Sequence, residues 1–492
     1  MNTINASAKA WKSWLFLLSV SFCTIGTRAQ DVQFEKTFGS NVGSEALKVL
    51  ETSDGGLLLV GQTNTNTSGL ADFSMIKTNA EGEEIWSLTH GGFNNDIPND
   101  AVELADGGFA VVGFTGSFTQ NPSRDVYLIK VDADGNLVWT QSIGGPQTDE
   151  GTGILLMPDG GFVLSALTES YGAGGRDAWL IRTDSLGDTL WTQTFGGAEF
   201  DDVWEVEHTA DGGFILTGGN YSFANGAEDD LWLIKTDGDG NEEWIKNFGV
   251  ADMLDWGWDL TVVDDGYVAV GLHNNNPNVA GPASGEAHFI KTDLEGNLVW
   301  DKSISHSFRL EATGIDACSD GGFVLCGYKV LGPASGSFWV TKTDALGKVV
   351  WTKDLGVSNA VNRAQDVIQT ANGDIVAVGY AGFTQNSSQT MHMVRITDNS
   401  NVGIGEKRQS ILQLNAFPNP SNGSFSIDLS ALEYEVGRLE ILSASTGQSV
   451  MDLELAHAKN EAYTLDTPGL YLVRLFDKRE NILGIAKLVI TR

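Results

Sequence analysis

The chain has 492 residues, and its 30 Lys and Arg against 64 Asp and Glu leave a formal net charge of -34. A surface of that sign repels a phosphate backbone, which excludes nucleic acid as an expected partner. Hydrophobic residues make up 41% of the chain, enough for a packed core and too much for a disordered protein.

The N-terminus reads as an export signal. Lys9 and Lys12 precede an apolar run over 14–25, and Thr27-Arg28-Ala29 places small residues at the two cleavage-determining positions. The run falls short of the roughly 20 apolar residues of a membrane span. Residues 1–29 are therefore read as a signal peptide and Gln30 as the start of the mature chain. Cys318 and Cys326 flank a tight turn out of register with each other, so two packed free thiols are expected.

From there the chain repeats. A tetrad of the type Asp-Gly-Gly-aromatic or aliphatic begins at Asp54, Asp106, Asp159, Asp211 and Asp320 and, in altered form, at Asp264 (Asp-Asp-Gly-Tyr) and Asn372 (Asn-Gly-Asp-Ile), with steps in chain order of 52, 53, 52, 53, 56 and 52 residues. A basic residue ends an apolar strand in the same phase at Lys77, Lys130, Arg182, Lys235, Lys291, Lys342 and Arg395. A Trp follows at positions 86, 139, 191, 244, 300 and 351, but none follows Arg395. The missing strand is found at the other end, where Phe34-Glu35-Lys36-Thr37-Phe38-Gly39 matches Trp191-Thr192-Gln193-Thr194-Phe195-Gly196. Each period holds four short strands. The spacing predicts an all-β fold over 30–397: a seven-bladed β-propeller closed by the N-terminal strand, which removes the open edges a linear array would expose.

Within a blade, the Asp-Gly-Gly turn and the turn before the Trp are tight, whereas the longer, varied connections share the opposite face. Examples are 62–70, 114–124, 220–228, 273–285 and 381–389. Binding residues belong on that face. Segments such as Asp132-Ala133-Asp134-Gly135-Asn136 are turns, because the bidentate Glu of a calcium loop is missing. Nine residues before the tetrads stand Glu45, Ile97, Glu150, Asp202, Asp255, Glu311 and Arg363. The acidic ones, Glu45, Glu150, Asp202, Asp255 and Glu311, are expected to ring the mouth of the central channel, as backbone caps or as contacts to a cation or basic ligand. Calcium is the one cofactor such a ring suggests, and whether a metal binds is left open. The junctions into the fourth and fifth blades combine carboxylates with aromatic rings: Asp201, Asp202 and Trp204, then Asp255, Trp256 and Trp258, with Tyr221 in a nearby loop. Aromatic faces beside carboxylates suit sugar rings or cations. His288 and His392 share one third-strand position and are read as exposed on the sheet. No nucleophile elbow, phosphate loop or metal-type His spacing occurs.

Periodicity ends after Thr397. Residues 398–414 read as a linker, and 415–492 as a small β-sandwich-like domain of short strands. The opening Pro418-Asn419-Pro420-Ser421-Asn422-Gly423, the turn Ser445-Thr446-Gly447-Gln448, the strand Pro468-Gly469-Leu470-Tyr471-Leu472-Val473 and the terminal Lys487-Leu488-Val489-Ile490 resemble the type A C-terminal sorting domain of the type IX secretion system. The repeats are similar to Asp-Gly-Gly-Phe propellers found in its cargo. The resemblance implies export in two steps, recognition by the type IX machinery, and release or attachment to surface lipopolysaccharide. The resulting expectation is a monomeric, secreted or cell-surface, noncatalytic binding or adhesion module whose ligand is a glycan or a peptide. The alternative is a glycan-cleaving hydrolase or lyase using carboxylates on the long-loop face.

Overall fold

A computed structural model describes residues 30–398 except 40–42, 65–69, 120–122, 225, 227, 252, 276–284, 308, 333–334, 358–359 and 383–388. Beyond 411 it describes 412–491 except 414, 418–420, 422–423, 429–435, 444–448, 455–461, 466 and 478–481. The signal-peptide reading of 1–29 and most of the linker reading lie outside the described residues. The chain divides into two compact units, at 401/402.

The first unit is all-β, with seven four-stranded antiparallel sheets. Six take their strands consecutively. In the seventh, Val32–Phe38 pairs with Thr390–Ile396, whose sheet continues to Ile375–Gly382 and Val361–Gln369. The ring is therefore closed by the first strand of the chain.

The three sequence landmarks are physical partners. In every blade the basic residue at the end of the third strand reaches the carboxylate of the first turn: Lys77 to Asp54, Lys130 to Asp106, Arg182 to Asp159, Lys235 to Asp211, Lys291 to Asp265, Lys342 to Asp320 and Arg395 to Asp374, all within 3.0 Å. The basic ends are largely buried while most of the turn carboxylates stay wet, so the pair satisfies an ammonium or guanidinium that the sheet would otherwise strand.

The outer-strand aromatic packs on the third-to-fourth turn of the next blade. Trp86 lies against Gly135, Trp139 against Gly187, Trp191 against Gly240, Trp244 against Gly296 and Trp300 against Gly347, and Phe34 does the same against Gly82. Phe34 thus stands in for the seventh Trp and joins the last blade to the first. A methyl group at Gly240, where φ is +80°, would meet Trp191 at 2.5 Å, whereas at Gly212, where φ is +90°, nothing lies within 4 Å. Gly212→Ala is expected to cost about 1–2 kcal/mol from the left-handed backbone alone. Gly240→Ala adds about 1–3 kcal/mol of overpacking. Equal losses in a denaturant titration of the two variants would contradict this role for the Trp.

Cys318 and Cys326 are free and buried. His288 and His392 are 1% and 3% exposed, contrary to the exposed positions expected of them. The third strand lies inside the blade and is covered on both faces by its neighbours.

The second unit has a five-stranded and a three-stranded sheet. Phe425 and Tyr463 of the smaller sheet share one core with Leu439, Ile441, Val473 and Leu488 of the larger. Leu412–Gln413, within the stretch read as linker, pairs in parallel with Gly484 and Ile485.

Candidate functional site

The first strand of each blade faces the central channel, and each carries one extra residue in its ladder: Leu47, Asn99, Thr152, Trp204, Trp258, Thr313 and Gln365. A bulge leaves its residue unpaired and re-aims the side chains around it. All seven bulge residues line a single cavity of about 250 Å³, together with Lys48, Glu205, Asp259, Arg363 and Asp366.

The residue after each bulge explains how the channel tolerates its charge. These positions hold Lys48, Asp100, Gly153, Glu205, Asp259, Gly314 and Asp366. Asp100 accepts hydrogen bonds from the amides of Ala101 (2.8 Å) and Ile154 (2.9 Å), Asp259 from Leu260 (2.8 Å) and Ile315 (2.7 Å), and Asp366 from Val367 (2.9 Å) and Val49 (2.8 Å). Glu205 accepts from Val206 at 3.0 Å. Four carboxylates therefore satisfy one amide from each of the seven blades, and the blades lacking a carboxylate are served by the preceding neighbour. The oxygen left over, Oε2 of Glu205, accepts Lys48 Nζ from across the channel at 2.9 Å. Burial alone would push the Lys48 ammonium down, but Asp100, Glu205, Asp366 and Asp259 outweigh it and hold the group well above its usual value. Burial raises Glu205 despite Lys48.

Two further carboxyls enter the channel two positions along. Burial lifts Glu207 to about 7 and Asp316 to about 6. A carboxyl whose folded pKa exceeds its unfolded value keeps its proton longer in the folded state. Its contribution to stability is therefore greatest on the acid side and is lost as pH rises from about 4 through the folded value. The melting midpoint is expected to fall between about pH 4 and pH 7, and Glu207→Gln to flatten that fall. An unchanged slope in the variant would contradict it.

At the mouth, each acidic residue of the ring has a partner. Glu45 accepts from Gln62 at 3.0 Å and from Gln365. Arg124 reaches Glu150 at 2.5 Å, Arg176 grips Asp202 through Nε and Nη2 at 2.6 and 2.5 Å, and Glu311 holds Arg309 at 2.9 Å and Arg363 at 3.5 Å. Asp255, expected in this ring, is not in it. The first turn of blade five is shorter, with Val263 paired to Gly266, so counting back from the tetrad overshoots by one and Trp256 occupies the ring position. Asp229, at the place held by Arg124 and Arg176 in the earlier blades, is lifted to about 6 by burial and by Asp202, Glu228 and Asp201.

Asp255 instead matches Asp96, Asp149 and Asp201, which clamp the blade corners. Asp201 accepts from the amides of Gly197, Tyr221 and Ser222, and Asp255 from the amide of Val250 at 2.6 Å, with His273 Nδ1 2.6 Å from its other oxygen. Both are fully buried. Tyr221 stays in its loop, half-exposed, and does not line the channel cavity. What the fold does bring together is the aromatic set. Trp204 and Trp258 lie 5.1 Å apart between ring centroids, and Trp256 stacks on Trp258 at 5.4 Å and 3°. Their indole nitrogens are buried without a hydrogen-bond partner. Sequence reasoning missed Lys48, Asp100, Glu205, Asp259 and Asp366, although most recur six residues before the tetrad. Among the described residues no cluster of three His, Cys, Asp or Glu could hold a metal ion.

No protein-family model matches the chain. Over 173 residues, 30% of this chain, it is 28% identical to the regulatory protein FlaEY of Caulobacter vibrioides, and it spans 18% of that protein's length. Among solved structures, the WD40 domain of Neurospora crassa Pan2 is 11% identical with a TM-score of 0.46, over 75% of this chain and 96% of that one. A PL25 ulvan lyase bound to -[GlcA(1-4)Rha3S]- is 9% identical with a TM-score of 0.45, over 73% and 95%. The GH93 alpha-L-arabinofuranosidase of Fusarium graminearum is 13% identical with a TM-score of 0.41, over 61% and 92%. What this chain shares with these structures is the strand-rich propeller fold, in enzymes and non-enzymes alike.

Proposed function

We propose that the protein is a secreted or cell-surface, noncatalytic propeller that binds a glycan at its channel, and that 415–492 is the type IX sorting domain that exports it. The observation carrying the reading is the cavity into which seven bulges turn two Trp faces and the polar Asn99, Thr152, Thr313 and Gln365. Its 250 Å³ lies below the roughly 300–1,000 Å³ of drug-sized sites, which suits one sugar ring stacked on indole. A hydrolase or lyase has one observation in its favour, since Glu207 near 7 and Asp229 near 6 fall where general acids work. Binding is favoured over hydrolysis because a glycosidase works with a pair of carboxyls, and Asp100, Asp201, Asp202, Asp259, Asp316 and Asp366 are committed to amides or to Arg176, so none of them is a free partner for Glu207. Since the mouth carboxylates are already partnered, added calcium is expected to leave the melting midpoint unchanged.

A glycan array probed with the mature chain tests this. Saturable binding is expected, with a loss of about tenfold or more, some 1.4 kcal/mol, in Trp204→Ala and Trp258→Ala, and with no new reducing or unsaturated ends. Binding indifferent to both Trp residues, or turnover of the bound glycan, would overturn it.

A further inference from the structure

We infer that a second saccharide site lies in the groove between blades two and three, floored by Trp179. A cavity of about 460 Å³ opens there between Gln141 and Ser142 on one side and Asp188, Thr189 and Thr192 on the other. Its apolar ledge is a pair of rings, Tyr171 and Trp179, with centroids 5.1 Å apart at 43°. Tyr171 is 46% exposed, Trp179 only 3%. The indole N-H of Trp179 has no acceptor in the protein. A buried donor left idle carries a desolvation penalty, which an acceptor supplied by a ligand removes.

The neighbouring grooves show what is unusual here. Tyr127, Trp179 and Trp232 hold the same third-strand position in blades two, three and four, each opposite a Gly or Ala. Before blade two the groove is filled from within, because His90 stacks on Phe118 at 5.4 Å and 9° and meets the Tyr127 hydroxyl at 2.9 Å. In blade four Trp232 is fully buried and donates to the Asp202 carbonyl at 2.8 Å. Tyr171 takes the place of Phe118, the amide of each bonding the Thr three residues earlier. Ile143, however, stands where blade one has His90. Of these three grooves, the one before blade three keeps its aromatic ledge, loses the filling imidazole and leaves its donor unmatched.

That combination selects the ligand class. A pyranose ring offers a C-H face to the exposed Tyr171 ring, an oxygen to the indole N-H at the floor, and hydroxyls to Asp188, Gln141, Ser142, Thr189 and Thr192. A purely aliphatic ligand would leave the Trp179 N-H idle, and Asp188 disfavours an anionic one. The site is a neutral-sugar site, independent of the channel.

The test is titration of the mature chain with cellotetraose, maltotetraose, laminaritetraose, xylotetraose and mannotetraose, followed by tryptophan fluorescence and saturation-transfer NMR. At least one probe is expected to saturate. Tyr171→Ala, which removes an exposed ring and leaves the core intact, is expected to weaken that probe about tenfold. Trp179→Phe, which keeps a ring and deletes the N-H, is expected to weaken it about threefold or more with the thermal transition preserved. Trp204→Ala is expected to leave it unchanged. No saturable binding of any probe to the wild-type chain overturns the proposal. So does binding lost in Trp204→Ala but retained in Tyr171→Ala and Trp179→Phe, an outcome that would leave the channel reading standing.

Discussion

A chain whose mature sequence begins after residue 39, and so lacks the closing strand, is expected to lose the cooperative transition of a monomer and to run as oligomers or aggregate on size exclusion. Val32–Phe38 contributes six register pairs to Thr390–Ile396. At about 0.5–1.5 kcal/mol net for each hydrogen bond formed, and about 1.5–3 kcal/mol for burying Phe38, the loss is comparable with the stability of a whole domain. Kinetics add to it, because the uncovered strand carries Met391, Met393, Val394 and Ile396, all fully buried in the closed ring, and an apolar open edge invites pairing between chains. A monomeric truncated chain melting within a few degrees of the parent would show that the first strand does not close the sheet.

The second large effect is expected from the channel. Asp366→Ala strips the acceptor from two buried amides, Val367 in its own blade and Val49 in blade one, on opposite sides of the seam. At about 1–3 kcal/mol for each unsatisfied group, the variant should lose about 2–6 kcal/mol by denaturant titration. Asp366→Asn keeps one acceptor oxygen and should lose less. Lys48→Met should lose less than Asp366→Ala, because it leaves no backbone amide unsatisfied, although it strands the buried Glu205 oxygen. If Asp366→Ala and a surface change such as Asp134→Ala prove equally mild, the carboxylates do not serve the amide ring.

Much of this architecture was written plainly in the chain. Blade number and closure are visible because a repeat fixes phase, and the match of Phe34 to Trp191 survives in the wedge of Phe34 on Gly82. Site positions were harder, for two physical reasons. A bulge breaks the two-residue alternation of a strand, so the residues facing the channel do not follow from counting: Trp204 and Glu205, adjacent in sequence, line the same cavity. The shortened turn of blade five then displaced Asp255 by one. The neutralisation of the mouth was also hidden, because Arg124, Arg176 and Arg363 each reach their carboxylate from another blade, although Arg124–Glu150 and Arg176–Asp202 share the same separation of 26 residues, a periodic signal that could have been read. The groove at Trp179 could not be seen at all, since it depends on what the neighbouring blade fails to fill.

The claim beneath all of this is that the two ends of the first unit meet. Gln33 donates to Thr397 at 2.8 Å, so spin labels placed as Gln33→Cys and Thr397→Cys, in a chain whose two buried thiols are replaced by Ala, should couple strongly in EPR at contact range. Labels resolved at tens of ångströms apart in a folded protein would contradict the closed ring, and with it the channel and the grooves between its blades.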